Sequence, residues 1–223
     1  MAGDAQAVAS SRHACPLCGG GAVRALASVG GRDYLRCETC AVSYLDPAQR
    51  LALAAERAFY DTHRNATGDP GYRRFLARLA DPLMARLPAG SEGLDYGCGP
   101  APALAALLEE GGHRVACYDP YYRPQAELLE RRYDFVTCTE VAEHFHDPAT
   151  EFARLAGLLR PGGWLAVMTC FQTDDARFAN WHYRRDPTHV VFYREASFAW
   201  LAAHLGFTLD VPAKDVALLR RPM

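Results

Sequence analysis

Three groups of residues have types and spacings that could do chemistry. Cys15 and Cys18, then Cys37 and Cys40, form two C-x2-C pairs separated by 18 residues. Two such knuckles bring four thiolates onto one tetrahedral site, which is zinc-ribbon spacing, and four cysteines close that site as a structural one. Disulfides are disfavoured because nothing in the chain suggests secretion, and a redox C-x-x-C would not need a matching second pair. Further on, Glu140, Glu143 and His144 form E-x-x-E-H, and His189 follows in R-D-P-T-H-V. Two carboxylates and two imidazoles can hold a divalent ion and leave positions open for a substrate, with His144 and His189 as catalytic candidates. The alternative is an ion-free site in which His144 merely caps the site or contacts a cofactor. The third group is E-G-L-D-Y-G-C-G-P over residues 92–100. Gly97 and Gly99 let the backbone turn tightly and bring amides close to a ligand; the competing reading is a tight turn and no more.

The elements around these groups must position them. Residues 93–96 suit a short buried strand. Pro102 then stands in the first turn of a helix whose stripe is Ala103, Leu104, Leu107 and Leu108. Val115 to Tyr118 read as a second strand ending in Asp119, about 20 residues past the glycines, where a ribose-binding acid is expected. Tyr133–Thr139 reads as a third strand that ends at the E-x-x-E-H block. A helix over 147–159, the R-P-G-G turn and a strand over 164–169 follow. Upstream, helices are expected over 48–60 and 72–87, the second with Phe75, Leu79, Leu83 and Leu87 on one stripe, joined by a turn-rich linker over 61–71. They either cover a ligand or simply pack the core. The end of the chain reads as a helix over 197–205 and strands over 207–211 and 216–219 that complete a sheet edge. Residues 1–12 are expected to be a disordered tail, 13–45 the zinc ribbon, 46–90 a helical cap, and 91–223 the main α/β domain.

The order L-D-Y-G-C-G-P, Y-D-P, Y-D-F-V-T-C-T-E-V-A-E-H, L-L-R-P-G-G-W-L resembles class I S-adenosylmethionine-dependent methyltransferases over 90–219. The resemblance implies a Rossmann-like sheet with flanking helices. It implies a cofactor-binding set of Asp95, Tyr96, Gly97, Cys98, Gly99, Asp119, Pro120, Tyr121 and Glu140, with Gly97 and Gly99 against the methionine moiety, Asp95 supporting the turn and Asp119 on the ribose. Pro102 stands where a dinucleotide signature has its third glycine, which argues against a dehydrogenase. One strand region is abbreviated: the family usually places a helix and a strand between the ribose-binding acid and the Y-D-F strand, whereas 120–133 has room for one short helix over 125–132. Tyr121 and Tyr122 then either cover the adenine or sit in a surface loop. The E-x-x-E-H block is similar to that of small-RNA 2′-O-methyltransferases and ubiquinone-pathway O-methyltransferases. The resemblance implies a divalent-metal site there, with His189 as an additional ligand.

The segment 171–193 is long, aromatic and polar. It reads as an acceptor-binding insertion with Trp181, Arg184, Arg185 and Tyr193 as substrate contacts, or else as a packed surface hairpin. Cys98, Cys117, Cys138 and Cys170 read as small buried hydrophobes. Half of the 223 residues are hydrophobic, enough for a sizeable core, and the net charge of −2 gives no global attraction to nucleic acid. Lys214 is the only lysine. The absence of a long apolar run or a signal pattern makes the cytoplasm the expected location, with no membrane partner. The preferred function is methyl transfer to a small-molecule acceptor, either a hydroxyl or a sugar carbon. An RNA methyltransferase using the ribbon for recognition and a non-catalytic cofactor-binding module are the alternatives.

Overall fold

The computed structural model describes residues 14–60 and 69–223; the expected tail, and the linker over 61–68, lie outside them. In chain order the strands are β1 (Val23–Val29), β2 (Arg32–Cys37), β3 (Ser43–Leu45), β4 (Glu92–Tyr96), β5 (Arg114–Tyr118), β6 (Tyr133–Thr139), β7 (Leu159–Met168), β8 (Val191–Phe192), β9 (Thr208–Ala213) and β10 (Val216–Arg220). The α-helices are α1 (Leu53–Tyr60), α2 (Pro70–Met84), α3 (Ala103–Glu110), α4 (Pro148–Gly157) and α5 (Glu195–Leu205).

The main sheet has the order β5-β4-β6-β7-β10-β9. Its first four strands run parallel, and β10 and β9 are added antiparallel. Side chains alternate across it. Leu94, Val136, Cys138, Leu165 and Val167 face one apolar layer, with Phe152 of α4 and Phe198 of α5. Phe135, Ala166 and Met168 face the other, with Leu76, Leu79 and Leu83 of α2 and Leu104 and Leu108 of α3. A parallel sheet covered on both faces needs near-continuous apolar strands, and β6 and β7 supply them. Gly93 is fixed by space: a Cβ there would lie 2.0 Å from the Phe135 ring.

Between β5 and β6 stands a single 3-10 turn, Ala126–Glu130, so the abbreviated strand region is real and β5 is the edge of the sheet. Three expectations shift. The helix expected over 48–60 breaks into a 3-10 turn at Pro47–Gln49 and α1, because Arg50 is extended at ψ 151° and its Nη1 donates to the His146 carbonyl at 2.7 Å. The helix expected over 72–87 starts earlier, capped by Asp69 with Pro70 at its first turn, and buries Leu76 rather than Phe75. The strand expected from Trp164 begins at Leu159, with R-P-G-G inside it as an irregularity against β6.

The cysteine pairs sit in a second, antiparallel sheet of order β1-β2-β3-β8. Its fourth strand comes from the segment 171–193. That segment therefore wraps back on the ribbon and does not stand out as a free hairpin. Among the described residues no helix is long and apolar enough to cross a membrane.

Candidate active site

The glycine turn closes β4 as expected. Gly97 (φ +78°) and Gly99 (φ +63°) lie in the left-handed region, and the Gly97 and Cys98 amides donate to the Tyr118 carbonyl at 2.8 and 3.2 Å. A Cβ on Gly97 would meet Val141 at 2.5 Å, whereas beside Gly99 nothing stands within 4 Å. The chain thus bends tightly at one glycine and leaves open space at the other, which fits close approach of a ligand to the backbone.

Asp119 is buried and tied to the turn. Its Oδ2 accepts from the Gly99 amide at 3.0 Å, and its Oδ1 accepts from the amides of Tyr121 and Tyr122 at 2.8 and 3.0 Å. A carboxylate has about four lone-pair sites, so roughly one remains for a ribose hydroxyl rather than two. The acid builds the crevice as much as it contacts a ligand. Asp95 does not touch the turn: its Oδ1 accepts from the Thr137 hydroxyl at 2.7 Å. Burial pushes its carboxyl up to about 6, against the pull of Thr137 and with the neighbouring Asp119 charge adding to the rise. Tyr96 points to the α4 side, where its hydroxyl donates to Glu151 at 2.5 Å, so only its backbone faces the turn. Pro120 is exposed. Tyr121 packs against Tyr60 of α1, with ring centroids 5.8 Å apart and the Arg57 guanidinium over its face. It is part of the crevice wall and not a loose surface residue. Of the four cysteines outside the ribbon only Cys138 is fully buried; Cys98, Cys117 and Cys170 are half-exposed.

At the end of β6 the chain turns sharply, with Glu140 at φ +53°. Glu143, His144 and His189 converge, one ligand atom of each lying within 4.8 Å of the others. Glu143 is fully buried, and neither of its oxygens has a hydrogen bond of normal geometry, although the Tyr183 and Thr169 hydroxyls are near enough to favour the ionised form. His144 Nε2 stands 3.9 Å and His189 Nε2 4.0 Å from its Oε1. Each imidazole is oriented from behind: His144 Nδ1 lies 3.1 Å from the Thr188 carbonyl and His189 Nδ1 2.7 Å from the Tyr183 carbonyl. A carbonyl only accepts, so both Nδ1 atoms carry the proton, and Nε2 is the ring atom that each histidine turns toward Glu143. This is the carbonyl-backed histidine arrangement of metal sites. Burial raises the Glu143 carboxyl and lowers the His189 imidazolium, with each group's charge opposing the other's shift.

Glu140 stands outside this group of three. It is joined to it through the Tyr183 hydroxyl, which donates to Glu140 Oε2 at 3.3 Å. Burial, then repulsion from Glu143, pushes its carboxyl up to about 9. Tyr183, packed 4.2 Å from the His189 ring centroid, and Tyr60, 5.1 Å from that of His144, are the residues the sequence reading missed. Their signal was only aromatic richness, which does not separate a site wall from a core.

The expected acceptor contacts divide. Tyr193 is core: it is 1% exposed and its hydroxyl donates to the Ala142 carbonyl at 3.0 Å. Arg184 lies over the Tyr34 ring of the ribbon and donates to the Ala179 carbonyl at 2.8 Å, so it braces two segments. Trp181 packs among Phe178, Tyr183 and Phe192. Arg185 is exposed.

In the ribbon, Cys15 and Cys40, and Cys18 and Cys37, face each other at Sγ separations of 3.5 Å, all four within 4.8 Å. Tetrahedral zinc with bonds of about 2.3 Å sets its sulfurs about 3.8 Å apart, so the donor set fits that ion. The Gly20 amide donates to Cys18 Sγ at 3.4 Å, as in a metal knuckle.

Comparison with known proteins gives the same picture. The ubiquinone biosynthesis O-methyltransferase of Serratia proteamaculans (strain 568) is 39% identical over 86 residues, 39% of this chain and 36% of that protein. That of Proteus mirabilis (strain HI4320) is 34% identical over 95 residues, 43% of this chain and 39% of the relative. The chain thus matches little more than a third of the length of these curated relatives. Among solved structures, 1,6-didemethyltoxoflavin-N1-methyltransferase of Burkholderia thailandensis, bound to its acceptor and S-adenosylhomocysteine, shares the fold at a TM-score of 0.56 and 19% identity. The match covers 90% of this chain and all of that one. The family model described as a methyltransferase domain matches residues 63–210. With a cradle open at Gly99, an acid tied to it and that match over most of the sheet, the chain belongs to the class I S-adenosylmethionine-dependent methyltransferases and carries an N-terminal cysteine cluster able to chelate a metal.

Proposed function

We propose that this enzyme methylates a hydroxyl of a small-molecule acceptor with the help of a divalent ion held by Glu143, His144 and His189. The observation that carries the reading is Glu143: a buried carboxyl without a normal hydrogen bond among the described residues, faced by the Nε2 atoms of two imidazoles. Such a group is costly unless a cation completes it. A carboxylate with two neutral imidazoles suits a divalent ion with open positions.

The sulfonium donor is already activated, so the protein mainly aligns donor and acceptor. The Gly97–Gly99 turn and Asp119 hold the donor, with Cys98 and Pro120 in the same loops. Tyr60 and Tyr121 wall the crevice between the donor and the histidines. Glu143, His144 and His189 would hold the ion, which would lower the pKa of the acceptor hydroxyl. Glu140, at the same strand end and bonded through the Tyr183 hydroxyl, would take the proton in its ionised form. Cys15, Cys18, Cys37 and Cys40 hold zinc as a closed site that leaves no position for a substrate. That the relatives are ubiquinone biosynthesis O-methyltransferases supports a hydroxyl acceptor. The RNA reading asked for a basic stripe from the ribbon through Arg184 and Arg185, and Arg184 is instead committed to Tyr34.

The test is methyl transfer to a panel of phenolic and aliphatic hydroxyl acceptors with and without added Mg²⁺ or Mn²⁺. Activity should rise with the ion and disappear in His144→Ala. Full activity after chelation would defeat the metal role.

A further inference from the structure

We propose that the cysteine module is a positioning element for the Glu143–His144–His189 cluster, so that loading of the four thiolates sets the affinity of the second site for its divalent ion. The proposal rests on the reading above and adds a coupling that neither cluster suggests alone.

The connection runs through one short strap. Residues 188–193 lie between the cluster and the ribbon and are bonded to both. On the inner side, the Thr188 carbonyl orients His144, the Val190 amide donates to the Glu143 carbonyl at 2.8 Å, and the Tyr193 hydroxyl donates to the carbonyl of Ala142. On the outer side, the Leu45 amide donates to the Val190 carbonyl at 2.9 Å, and β3 pairs with β8 at Ser43–Phe192 and Tyr44–Val191. Val190 thus holds the ribbon by its carbonyl and the cluster by its amide. His189, the ligand most distant in sequence from Glu143, is the residue immediately before it.

The outer side depends on the cysteines. β3 begins three residues after Cys40, across a turn closed by the Cys37 amide on the Val42 carbonyl at 2.9 Å, with Ala41 at φ +58°. A bound ion fixes the Cys37–Cys40 knuckle and with it the start of β3. A second tie reinforces the joint. The buried Arg36 and Ser43 of the ribbon both meet Gln172 Oε1, at 2.7 and 2.6 Å, and Gln172 accompanies the strap through its own amide on the Tyr193 carbonyl. The donor crevice is built differently. Among the described residues the Asp119 carboxylate bonds to amides of the glycine turn and of its own loop, and not to the ribbon.

The two sites therefore respond separately to damage in the ribbon. Mn²⁺ is the probe, because it prefers oxygen and imidazole donors and does not compete for four thiolates. Mn²⁺ affinity would be read by electron paramagnetic resonance, and S-adenosylhomocysteine affinity by calorimetry, on the full chain and on Cys40→Ser. The expected result is a fall in Mn²⁺ affinity of about 10–100-fold, the range seen when the groups that orient metal ligands are lost. S-adenosylhomocysteine affinity should stay within about threefold, which also certifies that the variant is folded. A Ser43→Ala/Gln172→Ala variant, with its cysteines intact, should weaken Mn²⁺ binding in the same direction. It decides the matter if Cys40→Ser loses both ligands through unfolding. Mn²⁺ affinity unchanged in both variants would overturn the coupling while leaving the metal reading in place. No Mn²⁺ binding by the wild-type chain would overturn both.

Discussion

Two clusters of metal-binding side chains stand on opposite sides of one strap, and they are built in opposite ways. The cysteine cluster draws all its ligands from 15–40, has four of them, and is closed. The Glu143–His144–His189 cluster has its first and last groups 46 positions apart in sequence, and sets two imidazoles around a carboxyl without a normal hydrogen bond among the described residues. A full tetrahedral set leaves no position for a substrate, whereas an incomplete one does. On the proposed reading the first cluster serves stability and the second chemistry, and each role can be broken.

The largest effect is expected at the open cluster. Glu143→Gln or His189→Ala should lower methyl transfer about 10²–10⁴-fold. Melting should move little, because each change also removes a costly buried group. A large loss of stability with activity intact would reverse the contrast. Cys15→Ser should act first on stability. It leaves three thiolates and should cost about 4 kcal/mol, a fall in Tm of roughly 8–16 °C by calorimetry. An unchanged Tm would show that the ribbon does not need its ion.

The donor crevice gives a control that belongs to neither cluster. Asp119→Ala leaves the Gly99, Tyr121 and Tyr122 amides without their acceptor. It should weaken S-adenosylhomocysteine about 100-fold, because charge-assisted bonds are worth about 1.5–3 kcal/mol each and water replaces part of the loss. Mn²⁺ binding should not change. Donor affinity indifferent to this substitution would remove Asp119 from the site.

The smallest effect is a pH dependence in the sheet below that crevice. Asp95 is raised to about 6 in the folded protein against 3.8 as its ordinary value. Between those values the native state holds a proton that the unfolded chain has lost, so stability falls as pH rises through the window. From pH 4 to 6 the contribution is about 2 kcal/mol. Asp95→Asn should flatten this slope in denaturant titrations, and an unaltered slope would place the titration elsewhere.

Legibility followed range in the sequence. The C-x2-C pairs, the glycine turn, the acid after β5, and strands β4, β5 and β6 could be read directly, because each depends on neighbours a few residues away. The abbreviated stretch after Asp119 was also legible, since too few residues remain for another strand. Errors arose where one composition serves two purposes. Tyr193 and Arg184 looked like acceptor contacts because aromatic and cationic side chains suit both a binding pocket and a brace. Tyr60 and Tyr183 belonged to the site and carried no distinguishing signal.

What the sequence determined by itself was therefore the parts list: a metal knuckle pair, a donor-binding turn with its acid, and a carboxylate–histidine block at a strand end. Only the tertiary structure decided that Glu140 stands aside from the other three ligands, that Asp119 spends most of its lone pairs on its own loop, and that 188–193 joins the ribbon to the cluster. The reason is physical. Periodicity and turn chemistry are set by local sterics, but which backbone groups pair across 145 residues, as Leu45 does with Val190, is settled only by how the whole chain buries its apolar surface.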